Sequence, residues 1–295
     1  MGEGHLFEMR RKPHAGALVE TVDPARWTPG PFDRDHLRRA LVDGCVAGLV
    51  TTHDRGNVRW KIERLVAGDP DLQFGLTGLS EDDGGPSFEA VLALMADAAG
   101  FDADPGLRFG PMAVDPERVL DACEGAGDRL AEAARRGEHV LLATGHPGGL
   151  LLLYQAVGRL LVEHGATLLE PMDGFGWSHA GKPREIRYVG GVATYTSRAD
   201  LLHTHASEPM ELLLDDATPD LVFADHGFAG AAIQAGLDTI SIVDVNDPAP
   251  VVARAQGRTH HVICMDDNVR PEAYWPCFQA IAARLLIPRP PGPEG

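Results

Sequence analysis

Residues 221–268 read LVFADHGFAGAAIQAGLDTISIVDVNDPAPVVARAQGRTHHVICMDDN. Three short runs in this stretch are apolar almost throughout: LVFA from Leu221, TISIV from Thr239 and HVICM from His261. Between them lie AGAAIQAG and DPAPVVARAQG, each of helical length and apolar on one side. Strands that are apolar on both faces and alternate with helices belong to a parallel sheet covered on both sides. The same alternation extends outward. Upstream come HVLLATG, the helix GGLLLLYQAVGRLLVEHG, the strand ATLLEP, the strand or hairpin REIRYVGGVATYT and the helix SEPMELLLDDA; downstream RPEAYWPCFQAIAARLLI closes the domain.

North of Glu138 the period changes. DRDHLRRALVDGCVAGLVT (residues 33–51) reads as a helix, NVRWKIERLVAG as a second, and SFEAVLALMADAAG as a third with Ser87 at its N-cap. A fourth opens at Asp115-Pro116, a capping residue followed by proline at the first helical position, and stops at Gly137. The expected fold is therefore α/β, a doubly wound, mostly parallel sheet with an N-terminal helical portion. The expected organisation is an irregular tail (1–30), the helical portion (31–137), the α/β catalytic domain (138–287) and a proline-rich tail (288–295).

The chain has 295 residues, 44% hydrophobic and 23% charged, which excludes disordered and fibrous classes. Lys plus Arg is 26 against Asp plus Glu at 43, a net charge of −17. That balance opposes binding to nucleic acid through its phosphates. Cys45, Cys123, Cys264 and Cys277 form no CxxC pair and read as reduced thiols of a cytoplasmic protein. No window resembles a secretory signal or a membrane span, so no membrane partner is expected.

In open parallel sheets ligands bind outside the carboxyl ends of the strands. Here those ends carry Thr144-Gly145-His146-Pro147-Gly148-Gly149, Asp173, Asp225-His226, Asp244-Val245-Asn246-Asp247 and Asp266-Asp267-Asn268. Carboxylates gathered on one rim repel one another unless a cation intervenes, and hard oxygen ligands suit magnesium or manganese. Asp225, Asp244, Asn246, Asp247, Asp267 and Asn268 are the expected metal ligands. Imidazoles from His146, His226, His203 or His205 extend the choice to zinc. HTHASEP reads equally well as a ligand pair or as a polar loop before a Ser207-capped helix. The TGHPGG loop runs straight into a helix, where glycine backbone and free N–H groups favour an anion, so Thr144, Gly145, Gly148 and Gly149 are expected to touch substrate. Arg187, Arg55 and Lys182 are further phosphate-contact candidates. His260 and His261 sit at the opposite end of their strand and read as structural, and Cys264 as core. No GxxxxGK[ST], GxGxxG, GxSxG, HExxH, EF-hand, kinase or DxDx(T/V) pattern occurs.

Four segments, NVRWKIERLVAGDPDLQFGL, ATGHPGGLLLLYQAVG, ADHGFAGAAIQAG and IVDVNDPAPVVARAQGRTHHVICMDDN, together resemble actinobacterial proteins labelled simply as phosphatases. The resemblance covers roughly residues 35–285 and implies hydrolysis of a phosphate ester. It assigns no individual residue. Joined to the rim, it gives the expectation of a cytoplasmic, metal-dependent phosphatase acting on a small phosphorylated metabolite. His146, His226 and Asp225 are its catalytic residues, and homo-oligomerisation as a dimer is carried as an open expectation. A transferase or isomerase that holds a nucleotide or sugar phosphate, and a non-catalytic metabolite-binding regulator, are the alternatives.

Overall fold

The structure, a computed structural model, describes residues 27–286. Five parallel strands form the centre of the large sheet: β3 (His139–Thr144), β7 (Val192–Ser197), β9 (Leu221–Asp225), β10 (Thr239–Asp244) and β11 (His261–Met265). Their order across the sheet is β11-β10-β9-β3-β7. Beyond β7 the sheet turns antiparallel through β6 (Lys182–Val189) and β5 (Gly176–His179), and β6 and β7 form a hairpin. Gly190 and Gly191 make its turn with φ of 61° and 83°, the left-handed backbone that such a turn needs. Two short strands, β4 (Thr167–Leu168) and β8 (Asp200–Leu201), pair with β3 and β7. The ATLLEP strand is thus reduced to two residues, because Glu170 and Pro171 leave the ladder.

Alternation along the strands assigns the two faces. Val140, Leu142, Leu221 and Phe223 turn to one side, where α5 (Pro116–Arg136), α6 (Pro147–Glu163) and α10 (Trp275–Leu285) cover them. Leu141, Ala143, Val222 and Ala224 turn to the other, under α7 (Glu208–Asp216) and α8 (His226–Gln234). The central strands are buried on both faces and largely apolar, with Thr194, Thr196, Thr239 and Ser241 as buried polar exceptions in β7 and β10. α9 (Ala249–Ala255) connects β10 to β11.

The N-terminal portion contributes α1 (Arg34–Asp43), α2 (Arg55–Val66), the single turn α3 (Pro70–Gln73) and α4 (Phe88–Ala99). One expectation is corrected here. The helix read over 33–51 ends at Asp43; Gly44 caps it, Cys45 (φ 59°) and Gly48 (φ 75°) adopt left-handed backbone, and Gly48–Asp54 becomes a strand, β1. This strand pairs antiparallel with β2 (Pro111–Val114) to form a separate two-stranded ribbon. The apolar spacing of Leu37, Leu41 and Val46 is compatible with a continuing helix, and only the turn residues between them break it. Leu41, Ile62, Met95 and Leu130 share one buried cluster with Val140, Ile242 and Phe278, so helices of the N-terminal portion pack into the same core as the sheet. The ribbon ends in Asp54, whose carboxylate accepts the Asn57 N–H at 2.7 Å and caps α2. α2 is thereby aimed at the carboxyl ends of β10 and β11, where its Asn57 meets Asn246.

Candidate active site

Three neighbouring parallel strands, β9, β10 and β11, end in Asp225, Asp244 and Met265. The residues at and just past these ends, Asp225, His226, Asp244, Asn246, Asp247, Asp266 and Asp267, are all buried. Asp225 is fully enclosed. Its Oδ1 accepts the Gly145 N–H and the Nδ1–H of His226, both at 2.8 Å, while its Oδ2 is buried with no hydrogen-bond partner. Burial is the largest influence and would raise this carboxyl, but the His226 bond and charge, together with Thr144 and the His146 charge, outweigh it and hold Asp225 below the usual range.

His226 takes a φ of 47°, an uncommon conformation for a residue with a Cβ, at the point where β9 turns into α8. The turn delivers its ring to the middle of the cluster, with Nε2 lying 3.5 Å from Asp247 Oδ2, 3.8 Å from Asp267 Oδ2 and 3.3 Å from His203 Nε2. Burial disfavours the imidazolium, yet the Asp225 bond and the charges of Asp267 and Asp247 lift its pKa to about 9. Asp247 Oδ1 and Asp267 Oδ2 are two more buried oxygens without a hydrogen bond. Asp267 is raised well above its ordinary value, by burial first and by the Asp244 charge second. Asp266 is raised to about 6 by the same two causes.

The HTHASEP segment lies against this cluster. His203 stacks on His146 with centroids 4.5 Å apart and planes 7° apart, and His205 stacks on His226 at 5.1 Å. Burial and the positive fields of His226 and His146 lower His203 to about 4. Among the described residues, two groups of side chains have the spacing to hold a metal ion: His146, His203 and His226, and His226, Asp247 and Asp267. Within each group the donor atoms lie within 4.8 Å of one another.

Several contributors come from the N-terminal portion. His53 Nε2 is 2.8 Å from Asp244 Oδ2, Thr52 Oγ1 donates to Asp266 Oδ2 at 2.9 Å, and Asn246 Nδ2 donates to Asn57 Oδ1 at 2.8 Å. Lys61 Nζ sits 3.8 Å from Asp247 Oδ1.

A family model described as Phosphatase matches residues 32–287. The chain belongs to the Phosphatase family. A curated relative, Phosphatase SCO2771 of Streptomyces coelicolor (strain ATCC BAA-471 / A3(2) / M145), is 34% identical over 253 residues, covering 84% of this chain and 94% of its own. The sheet ends described above all lie inside the part of the chain that the Phosphatase family model spans.

Set beside this geometry, the sequence-derived ligands Asp225, Asp244, Asn246, Asp247 and Asp267 come together with His146 and His226. Asn268 does not join them: it is exposed, and its contact with the cluster is through its backbone N–H to Asp266 Oδ1. Asp173 receives the Tyr188 N–H in a loop preceding β5. In the TGHPGG loop the amides of Gly145, His146 and Gly149 are already donated, to Asp225, Thr144 Oγ1 and the His146 carbonyl. Gly148, at the exposed start of α6, keeps the loop's free N–H among the described residues. Thr144 is fully buried and orients the loop instead of facing solvent. Arg187 is exposed and ion-paired with Glu185 of its own strand at 2.8 Å. Arg55 donates to the Asp102 carbonyl at 2.7 Å, and Lys182 is exposed at the start of β6. None of these three cations touches the cluster. Thr52, His53, Asn57 and Lys61 were not anticipated, because their helix and ribbon carry no local motif that ties them to strands nearly 200 residues away.

Described residues contain no helix long and apolar enough to cross a membrane.

Proposed function

We propose that the chain is a metal-dependent phosphatase that hydrolyses the phosphate monoester of a small metabolite. The observation that carries this reading is that, among the described residues, three carboxylate oxygens of the cluster, Asp225 Oδ2, Asp247 Oδ1 and Asp267 Oδ2, are buried without a hydrogen bond, in a family of phosphatases. Buried carboxylate oxygens without hydrogen bonds are costly, and a bound cation offsets the cost. Asp225, Asp247, Asp267 and His226 would hold the ion, with His203 able to contribute an imidazole nitrogen. This mixed oxygen and nitrogen donor set suits manganese, zinc or iron(II) better than magnesium, which prefers oxygen and water. Bound there, a divalent ion supplies positive charge for phosphoryl oxygens and an acidified water.

The chain's own residues do the remaining work. Lys61 and the Gly148 N–H at the start of α6 bind phosphoryl oxygens, the latter aided by the helix dipole. His226 is held through Nδ1 by Asp225 at 2.8 Å, which leaves Nε2, facing Asp247, Asp267 and His203, to ligate the ion once it has given up its proton. His146 is held through Nδ1 by Asp267 at 3.2 Å, which leaves Nε2 to protonate the departing alkoxide. His53 and Thr52 hold Asp244 and Asp266 in place. The test is release of inorganic phosphate from a panel of phosphorylated metabolites with magnesium, manganese, zinc or iron(II) added. Turnover is expected with at least one metal, with Asp225→Asn losing about 100-fold or more in kcat. No turnover with any metal, or unaltered turnover by Asp225→Asn, overturns the reading.

A further inference from the structure

The two glycines that open α6 differ in what a side chain would meet. Gly148 has open space where a Cβ would stand. At Gly149 a Cβ would lie 2.6 Å from the Asp267 carbonyl oxygen and 3.5 Å from the Tyr274 hydroxyl oxygen. The first distance is well inside van der Waals contact, so the backbone of Asp267 rests on the first turn of α6 in space that only a glycine leaves free.

Tyr274 fixes the same stretch of chain from a second element. It ends a short 3-10 turn, Pro271–Tyr274, just before α10, and is fully buried. Its hydroxyl donates to the Asp266 carbonyl at 3.2 Å and accepts the Val269 N–H at 3.3 Å, so one phenol oxygen joins the residues that flank Asp267 and Asn268. Asp266 is tied down further. Its N–H donates to the Val46 carbonyl at 2.9 Å, and its carboxylate accepts the Thr52 hydroxyl at 2.9 Å and the Asn268 N–H at 3.1 Å. Between these fastenings the Asp267 side chain serves two neighbours: Oδ1 lies 3.2 Å from His146 Nδ1, and Oδ2, buried without a hydrogen bond, lies 3.8 Å from His226 Nε2.

We propose that Gly149 and Tyr274 are positioning residues that set where the Asp267 carboxylate stands, and thereby the affinity of the rim for its divalent ion. This rests on the phosphatase reading above and names the residues that preorganise its metal group. Both act through the backbone around Asp267. In Gly149→Ala the new methyl and the Asp267 carbonyl oxygen cannot share one space, so Asp267 must retreat, and a displacement of about 0.5 Å is enough to loosen a preorganised group. Tyr274→Phe keeps the ring but removes the oxygen that joins Asp266 to Val269, which frees the loop to relax. Alanine is otherwise the better helix former, so helix propensity opposes the effect expected of Gly149→Ala.

The experiment is isothermal titration calorimetry of manganese, zinc or iron(II) into the chelator-treated full chain. Gly149→Ala and Tyr274→Phe are each expected to weaken the Kd by about tenfold or more, the usual cost of disturbing a group that orients a metal ligand. Gly125→Ala, in α5 where a Cβ would meet nothing within 4 Å, should leave it unchanged. Calorimetry separates positioning from a merely structural role, because a folding defect removes binding-competent molecules and so lowers the stoichiometry without altering the Kd of the rest. An unchanged Kd in Tyr274→Phe, or in Gly149→Ala with a wild-type circular dichroism spectrum, overturns the positioning role and leaves the phosphatase reading intact. A wild type that binds none of the three ions overturns both.

Discussion

Asp267→Asn separates the two roles of the acidic rim, because it should move the metal-free and metal-loaded proteins in opposite directions. Asp267 is 2% exposed, and its carboxyl is pushed up by burial and by Asp244, so its charged form is disfavoured in the folded protein. Asparagine is a neutral isostere, and its Oδ1 can still face His146 Nδ1 as the carboxylate does at 3.2 Å. Relief of the repulsion should therefore leave the metal-free variant as stable as the wild type or more stable, by roughly 1 kcal/mol. A ligand that binds only the folded state stabilises by about 2.7 kcal/mol at a concentration of 100 Kd. For a chain this long that is a rise in Tm of roughly 5–10 °C. The wild type should show this rise when manganese or zinc is added to chelator-treated protein, and Asp267→Asn should show little of it. Differential scanning fluorimetry across a metal titration reads both quantities. The reasoning fails if no divalent metal moves the wild-type Tm, or if the variant gains the full shift.

Lys61→Met should reduce kcat/KM for phosphate esters by about tenfold or more while moving Tm by only a degree or two, since its ion pair with Asp247 is 3.8 Å long; steady-state kinetics beside a melt checks both. Gly230→Ala should destabilise by about 1–3 kcal/mol in urea, because the new methyl runs into the Phe74 carbonyl oxygen where α8 crosses the α3 turn. His261, lowered from 6.5 chiefly by burial, is more basic when unfolded, so the unfolded chain binds the extra proton and stability should fall as pH drops below 6.5. His261→Gln should flatten that part of the stability profile, and urea midpoints measured across pH 5–7 would show it.

The parallel sheet was legible because its central strands are largely apolar and alternate with helices, and the cluster because a parallel sheet sends every strand's carboxyl end to one side. Asp225, Asp244 and Asp267 followed from topology alone. Geometry decided what topology could not. Arg187 lies on a strand of the same sheet yet faces solvent beside Glu185, and nothing in REIRYVG distinguishes the two orientations of its side chain. His203 and His205 are in irregular backbone, where period carries no information about facing. The glycine loop looked like an anion cradle because glycines permit one; that Gly145 donates inward to Asp225 depends on a partner 80 residues away. β1 escaped because Gly44 and Gly48 break an apolar period that otherwise continues.

The long reach of the β1–α2 segment sets a schedule for biosynthesis. Thr52 bonds to a residue 214 positions later and Asn57 to one 189 positions later. At the usual 5–20 residues per second, these groups leave the ribosome roughly 10–40 s before their partners exist. Through that interval the ribbon and α2 lack the carboxyl ends on which they rest, and contacts this distant in sequence make for slow closure once the last strand arrives. If the chain takes up a metal as proposed, the group that includes Asp267 would form only once β11 has been made, so a product that stops before β11 would lack that ligand.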